Sequence, residues 1–443
     1  MKLSSNTSLK RSIILHWGIL VAMLVLLSFG TSSCVDECET ITRYVAVEPI
    51  YRSLSEIRNE VGVVGPEEIQ HPGKIFWRDG YFFINESGKG IHVINNIDPE
   101  NPVIEAFINI PGNFELAVQG NILYADSYVD LLAIDISNVS NPVVTHRIDE
   151  VFMEGDFGYY MDANLGLLVG YEENAQVVQE VSECASQGGM FWGEDDVLFA
   201  RVDLAASPDV LQAEAGNFTG QGVGGSMARF TLTQGYLYAI STWQLYGFDL
   251  SNPYEPQLNG TTDIGWGIET VYPYKDMLFM GANDGMYIYD VANPASPAFL
   301  SQYNHIRACD PVIVDNDIAY LTLRDGSTCQ NFTNQLEVID ISNPTDPQVM
   351  SIHSMDHPQG LAKEGNKLYI CEGAYGLKSF DASDHEKIGD RELDHVSNIH
   401  AYDVIAINGI VMMVGQDGFY QYRCSPDGQL TLISFIPVEN IST

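Results

Sequence analysis

Positive charge is what this chain has least of. Its 443 residues carry 21 Lys+Arg against 59 Asp+Glu, a formal net charge of -38. Binding to nucleic acid irrespective of sequence needs a basic footprint that displaces phosphate counterions, and adsorption to anionic lipid needs the same; both are excluded. Charged residues are only 18% of the total and hydrophobic ones 45%, so the acidity is not the signature of a disordered tail. Cysteine is sparse at 7, and C-x-x-C is absent, which removes zinc ribbons and thioredoxin-type redox motifs. G-x-S-x-G and H-E-x-x-H are also missing. What remains is aromatic-rich (11%), with 39 Gly and 19 Pro, a composition of short strands and turns.

The first residues form an address. Lys2, Lys10 and Arg11 precede an apolar run from Ile13 to Phe29, interrupted by His16 and Ser28. This has the order of a secretory signal and is short for a membrane span. Small residues from Gly30 to Ser33 then lead into Cys34. The pattern resembles a bacterial lipoprotein signal (residues 1–33), with Cys34 as the lipidated first residue, although Thr31 stands where Leu is commonest. An ordinary signal peptide or a single N-terminal anchor are the alternatives. The VDECE that follows is similar to a surface-export signal of Bacteroidota lipoproteins. Residues 34–71 read as a linker, in which ITRYVAVE at 41–48 could act as a strand closing the last repeat unit.

From about residue 72 to the end one unit recurs. GNILYADSYVDLLAIDISNVSNP parallels GYLYAISTWQLYGFDLSNPYEP and DMLFMGANDGMYIYDVANPASP. Eight units can be aligned, beginning near Lys74, Phe114, Asp156, Ala228, Ile268, Ala308, Gly360 and His400. The intervals are 40, 42, 72, 40, 40, 52 and 40 residues. A period of about 40 with four short strands marks propeller blades. The expected fold is therefore an all-β propeller, eight four-stranded blades being favoured and seven left open by the weak third unit. The Asp of each Asp-x-Ser-Asn-Pro ending (Asp135, Asp249, Asp290, Asp340) is expected to satisfy turn amides and to play no catalytic part.

LLAIDISN, YIYDVANP and EVIDISNP resemble the LVIVD repeat, and the N-terminal half is similar to LVIVD-repeat lipoproteins of the Bacteroidota. The resemblance implies a β-propeller on the cell envelope, in the outer membrane and facing either the periplasm or the outside. It brings no established reaction and so no catalytic residue.

Two insertions break the period, at about 171–200 and 324–334. From Glu150 to Ala200 the chain has acidic residues and no Lys or Arg, and Glu194, Asp195 and Asp196 are adjacent. Oxygen-rich clusters suit Ca²⁺, whereas charge runs are also plain solvated loops. Phe191 and Trp192 beside them could stack on carbohydrate or pack on a blade. Cys309 and Cys329 share one unit and could form a disulfide in an oxidising compartment. Gly220, Gly222 and Gly225 match G-x-G-x-x-G but precede a strand pattern, so they read as an inter-blade loop. His353 and His357 likewise read as part of a connection.

Innermost strands line a propeller's channel, and the repeat alignment sets their first residues around one mouth. Lys74, Glu115, Arg229, Glu269, Asp310, Asp403 and, slightly earlier, His400 fall there. Charges that differ between equivalent positions make this mouth a candidate site for a small polar ligand or metal ion, or a hydrated channel with paired charges. The functional expectation is a non-enzymatic envelope scaffold that binds a protein or glycan. The alternative is a hydrolase or lyase that uses the mouth with Ca²⁺.

Overall fold

The computed structural model describes residues 39–153, 159–183, 223–226, 228–305, 311–325 and 333–439. The chain divides into two compact units. One is Met1–Pro49 with Tyr171–Val202, and the other is Ile50–Gly170 with Asp203–Thr443. In the first, strand is present over residues 39–49 and 171–183.

The second unit is a β-propeller. The described residues hold eight antiparallel sheets, matching the eight repeat units, and seven contain the full four-stranded meander. Their innermost strands are Pro72–Arg78, Leu116–Gln119, Phe230–Thr233, Ile268–Tyr274, Val312–Asp315, Leu361–Glu364 and Ala401–Ile407, taken below as blades 1 to 7. Each of these strands contacts the next, and the last contacts the first, so they close a ring of seven. The eighth sheet has three strands, Glu39–Arg52, Gly166–Glu183 and Met161–Asp162. Blades 2 and 3 touch directly. The Tyr124 hydroxyl donates to the Pro253 carbonyl at 2.9 Å, and Phe152 packs edge-on against Tyr246 at 5.4 Å. The 41–48 strand lies in the three-stranded sheet, while blade 7 has its own outer strand, Leu430–Pro437.

Among the described residues no strand is exchanged between the first and last blades; the ring is closed by the Glu439 amide donating to the Ile69 carbonyl at 2.9 Å and by side chains. Asn96 and Gln421 join their amides reciprocally at 2.9 and 2.7 Å, and Phe82 meets Phe419 at 4.8 Å. All four are buried. Middle strands such as Asp130–Asp135 and Gly285–Asp290 are buried on both faces because a blade lies on each side, which explains their nearly continuous apolar runs.

The repeat's punctuation has a local cause. Asp135, Asp249, Asp290, Asp340 and Asp381 each accept a backbone N–H from two residues on, at 2.7–2.9 Å. These are Asx turns between third and fourth strands, as the sequence led one to expect. The glycine that opens the third strand is sterically required at Gly285 and Gly418. Both have φ near +150° (156° and 143°), and a Cβ there would collide with the Tyr303 or Ile436 carbonyl of the outer strand.

Candidate functional site: the mouth face and its plugged channel

Alternating strand direction puts two kinds of connection on one face of the ring. Blade-to-blade links and the turns joining second to third strands open there, and each innermost strand starts there. Both breaks in the repeat period fall in connections of this face: the chain after Ile148 and the link from Leu323 to Gln335. The opposite face carries the repetitive Asx turns.

The sequence-aligned mouth residues converge in part. Lys74 Nζ lies 2.7 Å from Glu115 Oε1, with both side chains largely buried. The Arg229 backbone N–H donates to Glu115 Oε2 at 3.0 Å. Burial pulls the Lys74 ammonium below its usual range, against the opposing pull of Glu115, and Arg229 and Asp403 are also among the charges it feels. Asp403 is completely buried, and neither of its carboxylate oxygens has a hydrogen-bond partner among the described residues. Burial holds its carboxyl well above the ordinary range, because the charge of Lys74 offsets desolvation only in part. Glu269 accepts from Asn283 Nδ2 at 3.2 Å. His400 stacks obliquely on Tyr402 at 4.9 Å, and burial lowers its pKa. Asp310 lies outside the described residues, as do Cys34, the Glu194–Asp195–Asp196 cluster and the Cys309–Cys329 pair.

Two members of this cluster escaped the alignment. Asp126, at the end of blade 2's second strand, accepts the Phe114 and Glu115 amides at 2.8 Å each. Burial pushes its carboxyl up to about 7. Tyr159 feels Asp126, Glu115 and Arg229, and its phenol is raised by burial. An acidic residue ending a second strand was the available signal for Asp126. Tyr159 had none, because it belongs to the divergent third unit.

The channel is not open below this mouth. Val223 and Gly224 pair antiparallel with Trp77 and Phe76 of blade 1. Ser226 Oγ then accepts the Leu361 amide of blade 6 at 3.2 Å, and the Ala228 carbonyl accepts the Val271 amide of blade 4 at 2.9 Å. Because Val223, Ser226 and Ala228 touch three separated inner strands, the described part of this stretch crosses the ring's axis. Val223, Ser226 and Ala228 are buried, and Val223 packs with Ile75, Ile405 and Val414. The glycine-rich stretch expected to be an inter-blade loop is thus, over its described part, a plug. Small residues are needed because the chain passes between strands: a Cβ on Gly224 would press on the Phe76 ring.

Other sequence candidates are structural. His353 Nε2 lies 3.0 Å from both Ser351 Oγ and the His385 carbonyl. His357 Nδ1 is 3.0 Å from Asp325 Oδ1, in a blade-to-blade link. Among the described residues no group of three or more His, Cys, Asp or Glu is placed to hold a metal ion, and no helix is long and apolar enough to cross a membrane.

The mouth face also presents aromatics that the sequence did not single out. Trp266, in the link between blades 3 and 4, is 69% exposed, and Tyr375, in blade 6's second turn, is 53% exposed. Trp243, in blade 3's second turn, is half-buried.

The LVIVD repeat profile matches residues 114–150, 276–305 and 331–354, that is blade 2 and parts of blades 4 and 5. The chain carries LVIVD repeats. No curated protein shows significant sequence similarity to it. Among solved structures, a protein from Lactobacillus plantarum is similar with a TM-score of 0.52 at 12% identity, over 83% of this chain and 97% of that one. The computationally designed Ika8 protein gives 0.48 at 10% identity, over 84% and 89%. Saccharomyces cerevisiae Sqt1 gives 0.47 at 9%, over 85% and 87%. The first likeness is one of fold alone.

Proposed function

We propose that this LVIVD-repeat propeller is an envelope lipoprotein of the Bacteroidota, anchored through Cys34, that serves as a non-enzymatic scaffold binding an envelope protein or glycan through its mouth face. One observation carries the binding face. Solvent-exposed Trp266 and Tyr375, together with both breaks in the repeat, belong to connections of the same side, whereas the other side is built of near-identical Asx turns. Exposed aromatics on loops held by a rigid ring are a binding arrangement. The plug supports a surface mode of binding, because Val223, Gly224, Ser226 and Ala228 lie against the inner strands of blades 1, 6 and 4, where a deep pocket would form. The anchor rests on the basic start, the apolar run and the small residues before Cys34.

The test has two arms. Palmitate should label the wild-type chain in cells and not Cys34→Ala; equal labelling would remove the anchor. Wild-type protein should retain a component of solubilised envelope that a Trp266→Ala, Tyr375→Ala double variant does not; equal retention would remove the binding face. One observation favours a second reading, a hydrolase or lyase. Asp403 and Asp126 are buried carboxyls whose pKa values are raised, as in acid–base sites. Loss of a hydrolytic activity in Asp403→Asn would support it. Retaining Ca²⁺ during envelope capture tests whether the ion takes part in either reading.

A further inference from the structure

We infer that the Trp266 corner of the mouth face, between blades 3 and 4, is a binding site for a neutral glycan; the inference rests on the binding-face reading and names its ligand class. The corner is built rigidly. Trp266 stands between Gly265 (φ +130°) and Gly267 (φ +72°). Its loop is tied by three backbone hydrogen bonds, Ile264 N–H to the Trp243 carbonyl at 2.9 Å, Ile268 N–H to the Thr242 carbonyl at 3.0 Å and Asn283 N–H to the Gly267 carbonyl at 3.0 Å. A large indole left exposed on a fixed loop gains nothing from core burial, yet its orientation is set in advance, which lowers the ordering cost of binding.

The surroundings decide between ligand classes. On one side, Asp263 accepts from Gln244 Nε2 at 3.2 Å at the top edge of blade 3. On the other, the Tyr287 hydroxyl donates to Asp284 at 3.3 Å. A side chain at Gly265 would touch the Tyr287 ring, so this phenol lies directly beside the Trp266 loop. Asp263 and Asp284 are exposed. A protein hot spot surrounds its aromatic anchor with further contacts that exclude water. Here the aromatic is flanked by solvated carboxylates and an amide. That set fits a pyranose: the C–H face of the sugar stacks on the indole, and its rim of hydroxyls donates to carboxylates and accepts from Gln244 and the Tyr287 hydroxyl. A chain with 59 acidic and 21 basic residues repels polyanions, which selects a neutral glycan.

The full-length protein in detergent should be run through native gels containing mixed-linkage β-glucan, xyloglucan, α-mannan or galactomannan, with polygalacturonate as the anionic comparison. At least one neutral polysaccharide should retard it, and polygalacturonate should not. Trp266→Ala should weaken the retardation at least tenfold and Asp284→Asn severalfold, while Tyr254→Ala, on the opposite face, should migrate as wild type. Circular dichroism establishes that Trp266→Ala is folded. Retardation by none of the four, or Trp266→Ala retarded as strongly as wild type, overturns the inference. Should that happen while envelope capture still depends on Trp266 and Tyr375, the ligand is a protein and only the glycan assignment falls. Should both fail, the binding face falls too.

Discussion

Replacing Lys74 by Met probes the charge network that aligned repeats place at the mouth. In the folded chain the Lys74 ammonium lies 2.7 Å from Glu115, with side chains 14% and 5% exposed. Glu115 keeps a hydrogen bond from the Arg229 amide at 3.0 Å, but an amide does not neutralise a buried carboxylate. Lys74 is also the cation that opposes desolvation at Asp403. Breaking a buried pair by removing one partner costs about 3–5 kcal/mol, because a charge is left without compensation. Met preserves the length and apolar packing of the lysine stem, so the loss reports charge and not a cavity. Adding Glu115→Gln to Lys74→Met removes the stranded charge and should restore about 1–3 kcal/mol, the coupling expected of contacting residues. The assay is urea unfolding of the full-length protein followed by tryptophan fluorescence. A Lys74→Met midpoint corresponding to a change below about 0.5 kcal/mol, the range of an inconsequential surface change, would refute the buried-pair account. So would a double variant as unstable as the sum of the singles.

Other consequences follow from the same geometry. Asp403 has a raised pKa in the folded state, so the folded protein binds its proton more tightly than the unfolded chain. Its contribution to stability is present at low pH and is lost as pH rises above the ordinary carboxylate value of about 4 towards its folded pKa. Asp403→Asn should accordingly flatten the fall in urea midpoint as pH rises above about 4, and an unchanged profile would contradict the assignment. Phe152→Ala should cost about 3–5 kcal/mol, because this buried ring joins blade 2 to Phe230, Tyr246 and Phe248 of blade 3. A loss below about 1 kcal/mol would argue against direct contact of these blades. Cys371 is fully buried, with its thiol raised well above its usual range, whereas Cys424 is half-buried. Peptide mapping after alkylation of the folded protein should find Cys424 labelled and Cys371 protected until urea is added.

The fold was legible because each unit repeats its own physics. LLAIDI and MYIYDV announce strands buried on both faces, and Asp135, Asp249, Asp290 and Asp340 occupy the turn positions their spacing implied. The alignment also brought Lys74, Glu115, Arg229 and Asp403 to one mouth, where their charges act on one another. Blade number was harder to read. The chain between the fourth strand of blade 2 and the first of blade 3 contributes strands to a three-stranded sheet, and contact between blades 2 and 3 is made by single side chains such as Tyr124 and Phe152, which no period reveals. The plug was hidden for a different reason: Val223–Ser226 has no periodicity, and its partners are inner strands from 135 to 148 residues away in sequence. Trp266 was equally silent, being one aromatic between two glycines in a connection.

The mouth face as the binding surface is tested most directly by hydroxyl-radical footprinting of the full-length protein, alone and in solubilised envelope. Binding there predicts loss of oxidation at Trp266 and Tyr375, with Ile97 and Tyr254 on the opposite face unchanged. All four are exposed in the chain by itself. Protection confined to Ile97 and Tyr254, or protection of none of the four, would contradict it.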